Sequence, residues 1–294
     1  MTTTVQVGAV QAPAAGPEML DGIPAEVYHA DRSSISSSGL RALLDPSCPA
    51  QFEYDRGHPA APKKTFEVGH AAHKLVLGEG PDLVVVEGAR WDTNVAKAEV
   101  REIRATGGIP LKQAEMDQVE AMAAALRQHP LAGPLLVPGT GLAERSLYWT
   151  DPATGVRCRV RPDWLKQLPG LTLCVDYKSC ADASPAAVSR AIRDHGYHQQ
   201  DAFYIDGIQA VLAPEQVRFV FVFQSKTAPY LITVRELHQQ DRDIGRARNE
   251  RALRIYAECE TTGYWPDWTG PTNDIPQIGM PTWDTIRQAE EYLP

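Results

Sequence analysis

The chain has 294 residues, enough for one large domain or two small ones, and 43% hydrophobic against 22% charged residues is the balance of an ordinary globular protein. A formal net charge of −8 argues against duplex binding through bulk charge, yet leaves room for a local basic groove beside an acidic site. No apolar run reaches the ~18 residues of a membrane span, and five cysteines without a CxxC pair suit a reducing compartment better than a disulfide framework. The first basic residue is Arg32, so the N-terminus lacks the charged region of a signal peptide. Cytoplasm, with no membrane, is the expectation.

Residues 1–20, rich in Ala, Pro, Gly and Thr, read as a flexible leader. The run Ser33-Ser-Ile-Ser-Ser-Ser precedes Leu40, Leu43 and Leu44, which form one apolar stripe of a helix stopped by Asp45-Pro46. Those serines fit either helix capping or contact with a nucleic-acid backbone. A short helix from Pro49 to Tyr54 follows. Phe66 to Leu77 reads as a helix that carries Gly69, His70 and His73, and Asp82 to Glu87 as a strand. Thr93 to Ala105 and Lys112 to Gln128 read as two further helices.

From Glu144 the pattern changes to period two. Glu144 to Thr150, an Asp151-Pro-Ala-Thr-Gly turn and Val156 to Arg161 read as a hairpin. It leads into Pro162-Asp163, and then into the strand that ends Asp176-Tyr177-Lys178. In that strand Leu171, Leu173 and Val175 fall on one face, while Cys174, Asp176 and Lys178 fall on the other. Arg157, Arg159, Arg161 and Asp163 share a face of the preceding segment. Hairpin, Asp strand and Asp-x-Lys strand are expected to form one consecutive meander.

Two carboxylates and a lysine on neighbouring strand ends suit a hard divalent cation with a nucleophilic water beside it. This is the pattern of the PD-(D/E)xK nucleases, although Pro-Asp and Asp-x-Lys are each common in any chain of this length. Glu144 either approaches these carboxylates or is a solvated strand-end charge. Arg159 and Arg161 either grip phosphates or form ion pairs across the strand face.

Downstream, Ser184-Pro185 opens a helix, and Gln200 and Tyr204 lie four apart on one face of the next. Val217 to Gln224 and Tyr230 to Val234 are β-prone and expected to pair. Asp241 to Glu260 reads as an arginine-rich helix whose charges pair with nearby Asp243, Glu250 and Glu258. Trp265, Trp268 and Trp283 suggest a C-terminal wrap anchored on the core by aromatic residues.

The order of these motifs is more specific than any one of them: Ser-x-Ser-x-Leu, Gly69-x-x-x-His73, Glu144, Arg161-Pro-Asp163, Asp176-x-Lys178 and Tyr197-x-x-Gln200-x-x-x-Tyr204. Over roughly residues 28–270 the chain resembles the RecE-type exonucleases (the exonuclease VIII family), in the RecB-like branch of the PD-(D/E)xK nucleases. The resemblance implies an α/β fold with a central mixed sheet flanked by helices. It makes residues 21–294 a single domain, with an N-terminal helical part and the C-terminal wrap.

It further implies His73, Asp163, Asp176 and the Tyr177 carbonyl as ligands for Mg, with Mn as substitute, and Lys178 as the catalytic lysine. Glu144 stands as a further acidic residue of the site, and Gln200 and Tyr204 as the helix that steadies DNA, with Arg159 and Arg161 as candidate phosphate contacts. No iron–sulfur cluster is expected. The implied activity is 5′-to-3′ exonuclease digestion of linear double-stranded DNA, yielding 5′-phosphates and single strands for phage-type homologous recombination. The implied partners are duplex ends, a homo-oligomeric ring and a single-strand annealing protein. The alternatives are an endonuclease or single-strand-specific nuclease on the same core, and a non-catalytic DNA-binding protein.

Overall fold

A computed structural model describes residues 16–58, 67–88, 90–270, 272 and 274–293. In chain order the first half forms β1 (Glu18–Leu20), α1 (Ala25–Ala30), β2 (Ile35–Ser36), α2 (Ser37–Ala42), α3 (Pro49–Gly57) and α4 (Glu67–Leu77). It continues with β3 (Leu83–Val85), α5 (Asn94–Ala105), β4 (Ile109–Leu111), α6 (Gln113–Gln128) and α7 (Ala132–Leu135). Five strands follow: β5 (Leu142–Ala143), β6 (Ser146–Thr150), β7 (Arg157–Val160), β8 (Trp164–Leu168) and β9 (Leu171–Cys180). The last part comprises α8 (Pro185–Asp194), α9 (Tyr197–Leu212), β10 (Val217–Ser225), β11 (Ile232–Arg235), α10 (Gln239–Thr262) and α11 (Thr282–Tyr292).

The centre is a five-stranded mixed sheet in the order β11-β10-β9-β8-β5, in which β9 and β10 run parallel and the other neighbours antiparallel. Period-two alternation gives each face its own core. Leu173, Val175, Tyr177, Val220 and Val222 pack with Ala71 and Ala72 of α4 and with Met122 and Leu126 of α6. On the other face Cys174, Phe219, Phe221 and Phe223 pack with Leu40 and Leu43, Phe203 of α9 and Leu253 of α10. The expected division of the Asp176 strand between its two faces therefore holds.

The expected single meander does not form. The hairpin β6–β7 belongs to a separate four-stranded sheet, β1-β6-β7-β2, and the chain changes sheets between Val160 and Trp164. Pro162 lacks the amide hydrogen a ladder would need, so this is where a strand can break. Part of the expected leader is also structured: Glu18–Leu20 pairs antiparallel with β6, from Glu18 opposite Tyr148 to Leu20 opposite Ser146. Residues 1–15 and Phe66 lie outside the described residues.

Trp265 packs against Phe52 and Tyr256, as an anchored tail requires. Trp283 does not join it: α11 buries none of its side chains, and Trp283 is 70% exposed. The arginines of α10 pair mainly across to α9, Arg242 with Asp201 at 2.5 Å and Arg246 with Asp206 at 2.9 Å, rather than along their own helix. Among the described residues, no helix is long and apolar enough to cross a membrane.

Candidate metal centre

Strand register builds the site. Ala143 pairs with Trp164, and Trp164 with Val175. The next position along β5, β8 and β9 therefore sets Glu144, Asp163 and Asp176 side by side in one row. The Glu144 amide donates to the Asp163 carbonyl at 3.2 Å and extends the ladder by that step. Glu144 itself has φ of 50°, a left-handed conformation that is uncommon for a residue with a Cβ and is concentrated at functional sites. The strain turns the chain out of β5 toward β6 while leaving the carboxylate in the row.

α4 packs over this row and brings in the histidine. His73 Nδ1 lies 3.8 Å from Asp163 Oδ2, and its ring meets the Tyr177 ring edge-on at 5.0 Å. The Tyr177 amide donates to Asp163 Oδ2 at 2.8 Å, which fixes that carboxylate against β9. The Tyr177 hydroxyl runs the other way, donating to Gln224 Oε1 at 2.6 Å inside the core. One ligand atom from each of His73, Glu144 and Asp163 lies within 4.8 Å of the others. Asp176, expected in that group, is turned to different partners. Its Oδ1 accepts from Gln200 Nε2 at 2.6 Å, and its Oδ2 lies 2.6 Å from Lys178 Nζ. The ammonium sits 5.2 Å over the Tyr197 ring.

The electrostatics describe a site short of positive charge. Burial, then the neighbouring Asp176, hold the Asp163 carboxyl well above the ordinary carboxylate range. Burial raises Glu144 as well, against the opposing pull of Arg161. Burial and the nearby Lys178 charge lower His73 to about 4, so its ring is neutral and able to ligate at neutral pH. Burial alone would lower Lys178, but Asp176 and Asp163 outweigh it and hold the ammonium charged. A divalent cation fits these residues: one neutral imidazole and clustered carboxylates are a mixed N/O donor set, and its charge would relieve the repulsion that raises the carboxyls.

The sign of the pH dependence follows. An Asp163 or Glu144 raised in the fold keeps its proton where the unfolded chain has lost it, so metal-free stability falls as pH rises from the ordinary carboxylate range through the raised values. Metal binds the deprotonated form. The increase in Tm produced by saturating Mn²⁺ is therefore expected to be larger at pH 8 than at pH 5, measured by scanning calorimetry. An equal or smaller increase at pH 8 would count against these carboxyls as ligands.

The four candidate nucleic-acid contacts all make contacts within the protein. Arg159 is buried: it donates to the Ser34 carbonyl and to Ser34 Oγ, lies 3.5 Å from Asp31, and packs over Tyr28. Arg161 donates to Ser146 Oγ at 2.8–2.9 Å and to the Ile23 carbonyl at 2.9 Å, with its guanidinium 4.1 Å over the same tyrosine ring. Both serve the junction between the four-stranded sheet and α1. Gln200 and Tyr204 are directed inward because α9 turns that face to the sheet; the Tyr204 hydroxyl donates to the Arg161 carbonyl at 3.4 Å. The serine run is engaged likewise: Ser36 caps α2 through the Gly39 amide, and Ser37 Oγ accepts from Arg41. Tyr197 beneath Lys178 escaped assignment in the sequence, although it stands first in the Tyr-x-x-Gln motif.

Comparison with known proteins bears on the family and the fold. A family model described as "PDDEXK-like domain of unknown function (DUF3799)" matches residues 36–275. The structure is similar to the crystal structure of a "Putative exonuclease" from Eubacterium rectale, with a TM-score of 0.59 at 15% identity, covering 90% of this chain and 98% of that one. At that identity the likeness is one of fold. No curated protein matches the chain.

Proposed function

The chain belongs to the PDDEXK-like DUF3799 family, and from that premise we propose that it is a metal-dependent deoxyribonuclease of the RecE type, digesting linear double-stranded DNA from 5′ to 3′. The observation that carries the reading is the convergence of His73, Glu144 and Asp163 within 4.8 Å beside an Asp176–Lys178 pair at 2.6 Å. A protein that only bound DNA would have no use for three clustered carboxylates, which repel phosphate until a cation neutralises them.

His73, Glu144 and Asp163 would hold the metal, with Asp176 and the Tyr177 carbonyl, adjacent on β9, completing the set. When bound, Mg²⁺ or Mn²⁺ supplies a hydroxide at neutral pH and neutralises charge on the phosphate. The imidazole in the set favours Mn²⁺ relative to a purely oxygen site. Lys178, held charged between Asp176 and the Tyr197 ring, offsets negative charge that develops on the reacting phosphate. Gln200 supports this from behind by fixing Asp176.

The order of motifs along the chain supports the RecE-type assignment. With it come a homo-oligomeric ring around DNA, a single-strand annealing partner, and a role in phage-type recombination in the cytoplasm. A ring with a basic channel would place the excess acidic charge on the outside, consistent with a net charge of −8.

The test is digestion of a linear duplex and a matched closed circle with Mg²⁺, Mn²⁺ or EDTA, and Asp176→Ala as the contamination control. Metal-dependent loss of the linear form alone, absent in the variant, is expected, and end-labelling then reads polarity. Cutting of the circle would replace the exonuclease with an endonuclease. Binding without cutting of either would overturn the enzymatic reading.

A further inference from the structure

Arg41, on α2, is a cation of this site that the metal centre does not use. α2 packs against α9 and α10, and the Arg41 side chain crosses the start of α9. There Gly196 has φ of 63°, and a Cβ built on it would stand 2.5 Å from Arg41 Cδ and 3.5 Å from Cγ. Only glycine leaves that path open at that backbone angle. Gly196 opens α9 directly ahead of Tyr197, whose ring lies under Lys178 Nζ, so the Arg41 side chain enters the neighbourhood of the Asp176–Lys178 pair.

Its partners do not balance its charge. Nη1 donates to Ser37 Oγ at 2.9 Å, and among the described residues no carboxylate forms an ion pair with it. Asp176, the carboxylate whose charge acts on it, is already ion-paired with Lys178 and hydrogen-bonded by Gln200. Once a metal takes up the carboxylate row, Arg41 is left among hydroxyls. A largely desolvated guanidinium without a counter-ion is costly unless an anion arrives from outside. Guanidinium donors also match phosphate geometry.

We propose that Arg41 binds a backbone phosphate of the nucleic-acid substrate next to the one being cleaved, and that Gly196 is the positioning residue that keeps its side chain on that course. This rests on the nuclease reading above. It gives the site a phosphate contact in place of Arg159 and Arg161, which are committed to the fold.

The test measures binding of a labelled linear duplex by anisotropy with Mn²⁺ at several salt concentrations, in a Lys178→Met background that slows cleavage, and KM and kcat with Mn²⁺ in the otherwise wild-type protein. Arg41→Gln is expected to weaken binding about tenfold and to reduce the slope of log affinity against log salt by about 0.9, the value for one lost phosphate contact. KM should rise by a similar factor with kcat little changed. Arg41→Lys, which keeps the charge, should keep most of the slope. Gly196→Ala should weaken binding although every charge is present. A merely structural Arg41 would instead lower Tm and leave the salt slope intact. A folded Arg41→Gln protein with wild-type affinity, slope and KM overturns the inference alone. A wild-type chain that neither binds nor cuts DNA removes the nuclease reading and this inference together.

Discussion

Lys178→Met is expected to slow DNA cleavage by a factor on the order of 10²–10⁴, the range for removing one positioned acid–base or charge-stabilising group. Metal binding should survive. Lys178 Nζ is 2.6 Å from Asp176 Oδ2 and lies over the Tyr197 ring, while the clustered ligand atoms belong to His73, Glu144 and Asp163. Removing the ammonium takes away a competing cation and leaves the donors in place, so Mn²⁺ affinity is expected to hold or rise. Methionine keeps the length and the apolar stem, which limits the packing change. Asp163→Asn should do the opposite, losing metal affinity and cleavage together. Single-turnover rates at saturating Mn²⁺, set beside Mn²⁺ titrations, separate the two outcomes. A Lys178→Met enzyme that cuts at the wild-type rate would remove the lysine from the chemistry.

Gly245→Ala carries the largest expected effect on stability. Gly245 lies inside α10, where alanine would ordinarily gain up to ~1 kcal/mol of helix propensity. Here α10 and α9 approach so closely that a Cβ would stand 2.5 Å from the His198 carbonyl carbon and 2.9 Å from Gln199 N. Both neighbours are backbone and cannot rotate away. Overpacking of this kind costs roughly 3 kcal/mol. That exceeds the propensity gain and leaves a net loss of about 2 kcal/mol, or roughly 3 °C in Tm for a chain of this size. Next to this contact Gln199 Nε2 donates to Asn249 Oδ1, and Asn249 Nδ2 donates to the Gln199 carbonyl, so separating the helices would also break a buried bond pair. Because α9 carries Gln200 against Asp176, activity should fall along with stability. A variant with unchanged or higher Tm would show that the two helices are less tightly packed than described.

Sequence patterns were legible where one segment carries its own instruction. β9 is buried over most of its length, and its β-prone run assigns residues to its two faces by period two. β10 holds a continuous apolar run from Phe219 to Phe223, with Phe219, Phe221 and Phe223 on one face. The acidic row was only half legible. Asp163 and Asp176 stand out as a motif, but Glu144 joins them through the register of β5, a strand of two residues with no pattern to read. Arg159 was left between two readings because alternation names a face without saying what covers it. Here β2 pairs in parallel with β7, and Ser34, Asp31 and Tyr28 close over the arginine. Arg41 had no local signal either, since its place against Gly196 depends on how α2, 155 positions earlier in the sequence, packs on α9.

A metal centre of His73, Glu144 and Asp163 is tested most directly by calorimetric titration of Mn²⁺ into the wild-type, Lys178→Met and Asp163→Asn proteins at pH 8. It predicts saturable binding to the wild type, equal or tighter binding to Lys178→Met, and loss of that binding in Asp163→Asn. Saturable Mn²⁺ binding that Asp163→Asn leaves unchanged, or no binding to the wild type at all, would contradict it.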